Sequence, residues 1–157
     1  MAVATATQTR DQVASRTTSA DWGIFVIRVV LGIIFFAHGG QKVFGWFGGY
    51  GLAATIDFMQ KGGIPAFLGY VAAFTELLGG LGLIFGVLTR LSALGILVTM
   101  LVAMFKVHLA NGFFLSMGSA GDGIEYNLAL AAMALGLVFT GPGALKIWDP
   151  ERNLIRF

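Results

Sequence analysis

With 157 residues, of which 57% are hydrophobic and only 11% charged, and a mean hydropathy of +0.82, the chain is far from the roughly 25% charged composition of soluble domains and reads as an integral membrane protein. It has no cysteine, so the chain itself supplies no disulfide, no redox thiol and no thiolate-ligated iron–sulfur cluster, and any electron chemistry has to come from a bound cofactor or a partner. A surplus of two positive charges is too small to argue for nucleic acid.

Residues 1–20 are rich in Ala, Thr, Ser and Gln, show no sustained apolar periodicity, and read as a flexible tail ahead of a transmembrane domain over 21–157. The first apolar run begins at Trp22 and is long enough to span, unlike the short apolar core of a cleaved signal peptide. A hydrocarbon core about 30 Å thick takes roughly 20 residues of helix. Four stretches meet that need, at about 22–42, 66–88, 91–110 and 124–140, and the expected fold is an all-α bundle of four transmembrane helices.

The first span carries Arg28, His38 and Lys42, with His38 and Lys42 as i, i+4 neighbours, so one face of this helix is basic. Between it and the second span, Leu52, Ile56 and Met59 recur at helical spacing beside Asp57 and Lys61, which predicts a short helix lying at the membrane interface. The second span lies in the run Gly62 to Thr89, whose single charge is Glu76. An acid near the bilayer centre costs roughly 2.5 to 3.5 kcal/mol on insertion scales and marks a functional site by default, with a partner to be found. Gly79, Gly80, Gly82 and Gly86 follow it as small residues that permit close helix contact.

A tight turn at Arg90 leads to the third span, which ends in Lys106 and His108, and a Gly, Ser and Phe connection with Asn111 leads to Glu125, Tyr126 and Asn127 at the start of the fourth. Glu125 also suits the positive end of its own helix dipole. Arg10, Arg16, Arg90, Lys146, Arg152 and Arg156 fall on the side of the two termini, against Lys61 on the other, so the positive-inside rule places both termini in the cytoplasm. Spans one and three then end, and spans two and four begin, in one non-cytoplasmic leaflet. His38, Lys42, Lys106, His108, Asn111, Glu125 and Tyr126 gather there as candidate ligand-binding residues. Glu76 lies roughly 15 Å into its span and Arg28 about 9 Å in from the opposite side, which makes Arg28 the expected partner in a buried charge pair.

Each of these residues also has a plainer role: a structural ion pair for Arg28 and Glu76, snorkelling for Lys42 and Lys106, capping for the histidines. A b-type haem needs imidazoles facing each other at matched depth, whereas His38 is inside its span and His108 near a boundary, and the spacings are not those of a metal site. A quinone fits better, because its carbonyls want a few donors in an apolar channel and His, Lys, Asn and Tyr are such donors. No residue is assigned a catalytic role at this stage.

The ordered series Arg28, His38-Gly39-Gly40-Gln41-Lys42, Glu76-Leu-Leu-Gly79-Gly80, Gly86-Val-Leu-Thr89-Arg90, His108 with Asn111-Gly112-Phe113, Gly123-Ile-Glu125-Tyr126 and Gly141-Pro142-Gly143 with Asp149 resembles the DoxX family of small membrane proteins. The resemblance implies a four-helix bundle in the bacterial inner membrane and a redox association, since relatives include the membrane subunit of a thiosulfate:quinone oxidoreductase and members linked to superoxide dismutase and a sulfurtransferase. Lacking Cys, this chain carries no persulfide of its own, and Lys146-Ile-Trp148 stands where the family has Ser before the Asp. Two functions stay open: a redox-associated subunit that binds quinone or an anionic sulfur substrate, and a non-catalytic accessory subunit that packs against a larger membrane complex and binds lipid.

Overall fold

A computed structural model describes residues 17–116 and 121–153. Residues 1–16, most of the expected tail, lie outside the described residues. Helix α1 spans Ser19–Phe44 and ends in a 3-10 turn at Trp46–Gly48; α2 is Gly51–Lys61; α3 is Ala66–Phe85. Helix α4, Thr89–Ala103, continues through a π turn at Met104–His108 and a 3-10 turn at Leu109–Asn111; α5 is Glu125–Thr140. A final 3-10 turn covers Pro150–Asn153.

The described chain is all-helical apart from one isolated bridge between Val87 and Trp148. Helices α1, α3 and the run Thr89–Asn111 are long and apolar enough to cross a membrane, while α5 is apolar but shorter. At 1.5 Å per residue the 16 residues of α5 rise about 24 Å, short of a core about 30 Å thick.

Local chemistry sets the helix ends. Asp21 donates its amide to Thr18 Oγ1 and Thr18 donates its amide to Asp21 Oδ2, a reciprocal capping box that starts α1 three residues ahead of Trp22. Gly45 and Gly86 close α1 and α3 with φ of 74° and 66°, the left-handed conformation that glycine adopts without steric cost.

Helices α1 and α3 run antiparallel along a seam of small residues. A β-carbon on Gly32 would lie 2.8 Å from the Ile84 amide nitrogen, one on Gly80 would overlap the Phe36 amide, and one on Gly39 would overlap the Leu77 backbone. Glycine at these points lets the backbones meet directly, as close crossings in a membrane require. The central core then brings Leu31 and Phe35 of α1 against Leu83 of α3, Ile96 of α4, and Leu130 and Leu137 of α5. The outward faces stay apolar as well, with Val26, Ile33, Phe74, Leu78, Val98 and Leu128 all exposed, as expected of helices solvated by lipid.

Two ends of the bundle follow. One holds the start of α1, the α3–α4 turn and the end of α5, and is called the termini end here; the far end holds α2 and the connection into α5.

Replacing Gly39 by Val should drive α1 from α3 and destabilise the bundle by about 1–3 kcal/mol, the usual cost of overpacking. Gly136→Val, at an outward position with no atom within 4 Å of a β-carbon, should leave the thermal unfolding midpoint in detergent unchanged.

Candidate functional site

Glu76 is buried to 2% exposure on the face of α3 that meets α1, and its Oε2 accepts a hydrogen bond from Lys42 Nζ. The pairing follows from register. Gly39 sits opposite Leu77 and Gly32 opposite Gly80 and Ile84, so Lys42 lies above Glu76 toward the far end. Side chains on an α-helix lean toward its N-terminus, and that tilt carries the lysine down into the bundle, not out to the interface. Lys42 keeps 27% of its side chain exposed, so the pair is sealed on the acid's side and reachable on the amine's.

Arg28 is not the partner of Glu76. The same register sets it against Gly86, ten residues along α3 from the acid, or about 15 Å at the helical rise. Its depth was read correctly, but on the wrong rung of α3. Wholly buried, it donates from Nη2 to Ala144 O at 3.3 Å and Leu145 O at 3.0 Å, and its guanidinium lies 5.3 Å from the Phe25 ring centroid. The buried guanidinium therefore fastens the segment after α5 onto the start of α1.

His38 stands one turn before Lys42 on the exposed surface of α1, within electrostatic reach of Lys42 and Glu76. An imidazole, an ammonium and a carboxylate thus share the far half of the α1–α3 seam.

The other residues of the expected cluster form a second, separate group. His108 Nδ1 and Asn111 Nδ2 both contact Asp122 O, at 2.8 and 3.1 Å, and Glu125 Oε1 accepts the Leu115 amide at 2.7 Å. Backbone bonds from Gly123 to Phe114, Ile124 to Gly112 and Glu125 to Phe113 fold this connection back on itself. His108, Asn111 and Glu125 hence hold a loop in shape. Lys106 and Tyr126 are exposed beside it, while Asn127 is buried and donates to Met100 Sδ at 3.6 Å. Among the described residues no three His, Cys, Asp or Glu side chains converge as a metal site would need.

A model of the DoxX family matches residues 23–109, more than half of the chain, and takes in Arg28, His38, Lys42 and Glu76. This chain belongs to the DoxX family. It is 35% identical over 132 residues to "Putative oxidoreductase CatD" of Bacillus subtilis (strain 168), covering 84% of this chain and 88% of that protein. To "Inner membrane protein YqjF" of Escherichia coli (strain K12) it is 32% identical over 129 residues, covering 81% and 90%. No solved structure matches it.

One structural residue of this DoxX protein escapes the sequence argument. Helix α4 begins after Leu88, which has no side-chain acceptor for the first free amides, and the carboxylate of Glu151 fills that role from the end of the chain. It accepts from the amides of Arg90 at 2.8 Å and Leu91 at 2.9 Å and is buried to 8% exposure. The signal was present in part: a helix start with no Ser, Thr, Asp or Asn before it needs an outside acceptor.

Lys42→Met leaves the buried carboxylate unpaired and should cost about 3–5 kcal/mol, whereas the double variant Lys42→Met/Glu76→Leu should recover most of that loss in a thermodynamic cycle. Glu151→Ala should cost about 0.5–2 kcal/mol, the range of a lost helix cap, read as a lowered unfolding midpoint.

Proposed function

We propose that this protein is the membrane subunit of a quinone-linked redox system, with four spanning helices, both termini in the cytoplasm and α2 at the opposite interface. The carrying observation is the juxtaposition of a lipid-facing imidazole, His38, with the buried Glu76 carboxylate and its Lys42 partner. A quinone head arriving sideways through the bilayer needs a donor for its carbonyl oxygen and a source of protons at hydrocarbon depth. His38 serves as the donor, and the Lys42–Glu76 pair carries protons that the surrounding apolar side chains otherwise exclude. Trp46 stacks at 5.7 Å on Phe36 and 4.8 Å on Phe44, which supplies an aromatic wall on the same stretch of α1.

When bound, the quinone accepts electrons and protons in equal number. The electrons come from a partner protein, since the side chains of this chain hold no redox thiol. The printed name of the Bacillus subtilis relative agrees with an oxidoreductase association. An anionic sulfur substrate fits this seam less well, because Glu76 already neutralises Lys42.

A second reading, an accessory subunit docked in a larger membrane complex, is favoured by one observation. Ala129, Ala132 and Gly136 line the exposed face of α5 at helical spacing, a small-residue stripe turned away from the bundle's own core.

Quinone binding to the purified protein, followed by titration in detergent, tests the first reading. His38→Ala and Glu76→Gln should each weaken binding or partner-driven quinol formation at least tenfold, while Gly136→Leu leaves both unchanged. Unaltered binding in the first two, with assembly lost in Gly136→Leu, would establish the accessory reading instead.

A further inference from the structure

Between α3 and α4 runs a side-opening groove of about 530 Å³, on a different face of α3 from Glu76. Small residues form its floor: a β-carbon on Gly95 would lie 2.8 Å from Thr75 Cγ2, and one on Gly82 would overlap Ser92 Oγ. Val71, Phe74, Leu78 and Leu91 form its apolar walls. From Val71 to Gly82 it follows about 16 Å of helix, close to one leaflet of a core about 30 Å thick.

The polar atoms along the groove are arranged for a ligand that is not pure hydrocarbon. Thr99 and Thr140, elsewhere on α4 and α5, return their hydroxyls to the carbonyls four residues back at 3.0 and 2.9 Å. Thr75 and Ser92, both in the groove, have no hydrogen-bond partner for their hydroxyls among the described residues. A hydroxyl at hydrocarbon depth without a partner favours an occupant that brings an acceptor with it.

Charge at the mouth indicates which one. Val87 and Leu88 close the groove at the termini end, where Val87 bridges to Trp148 and the Lys146 backbone packs on Gly86. Trp148 is 56% exposed, as a residue at headgroup level is expected to be. The Lys146 ammonium is part-exposed and pairs with Asp149 only at 3.4 Å, longer than the 2.7–2.9 Å of a tight charge-assisted bond. It remains available to an anion. We propose that the groove is a phospholipid site: one acyl chain lies over Gly79, Gly82 and Gly95, the ester carbonyls meet the Ser92 or Thr75 hydroxyl, and an anionic headgroup sits by Lys146 and Trp148.

The test is native mass spectrometry of the full chain released from nanodiscs of phosphatidylglycerol or phosphatidylethanolamine. The unaltered protein should retain a phosphatidylglycerol adduct in preference to phosphatidylethanolamine. Thr75→Leu/Ser92→Leu, which fills the groove, should lose the adduct, while Leu101→Phe on the exposed face of α4 outside the groove keeps it. Lys146→Gln, a part-exposed change that leaves the groove itself intact, should keep a phospholipid adduct but lose the preference between headgroups. The proposal is overturned if the groove-filling variant holds phospholipid undiminished, if Lys146→Gln keeps the preference, or if the unaltered protein retains no lipid or only one without phosphate.

Discussion

Everything at the centre of this protein depends on how closely α1 approaches α3. Glycines 32, 39 and 80 remove the side chains that would hold the two backbones apart, and the register they impose decides which polar groups can meet. In lipid, where apolar burial gives little drive for helices to associate, such packing contacts and a few polar bonds carry the association. The Lys42–Glu76 bond is a product of that seam. A shift by one helical turn would leave the acid among apolar side chains, and a carboxylate is too costly to bury alone.

The termini end is held differently. Arg28 grips the carbonyls of Ala144 and Leu145, the Ala144 amide reaches Asp21 O at 3.0 Å, and Glu151 covers the first amides of α4. The segment after α5 therefore ties the beginning of α1 to the α3–α4 turn. Its two buried ionic side chains bind main-chain groups, so they satisfy helix and loop ends that lipid would leave bare. Charge in this molecule thus has two uses, side chain against side chain at the α1–α3 seam and side chain against backbone at the termini end.

Family membership secures the architecture more firmly than the chemistry. A shared fold carries many functions, and the reading offered for this chain rests on the His38, Lys42 and Glu76 neighbourhood, not on the bundle. The far-end loop illustrates the distinction. His108, Asn111 and Glu125 are residue types that bind ligands, yet here their bonds close a loop around Asp122 and the backbone of Leu115.

The sequence by itself determined that this is a membrane protein, where its apolar helices lie to within a few residues, and that Glu76 needs a partner, because hydropathy, helix length and the cost of a buried charge are properties of short stretches of chain. It also singled out every member of the α1–α3 site. What it misjudged was the pairing: depth along a span placed Arg28 within reach of Glu76, and a shared leaflet suggested one cluster where there are two. Both errors have one cause. Depth is a single coordinate, whereas contact also depends on helix register and on which way each side chain leans, and those were decided only when glycine met backbone across the α1–α3 seam. Glu151 was missed for a related reason, since a helix cap supplied from sixty residues away has no local signature; it becomes visible only once the chain has folded back to the start of α4.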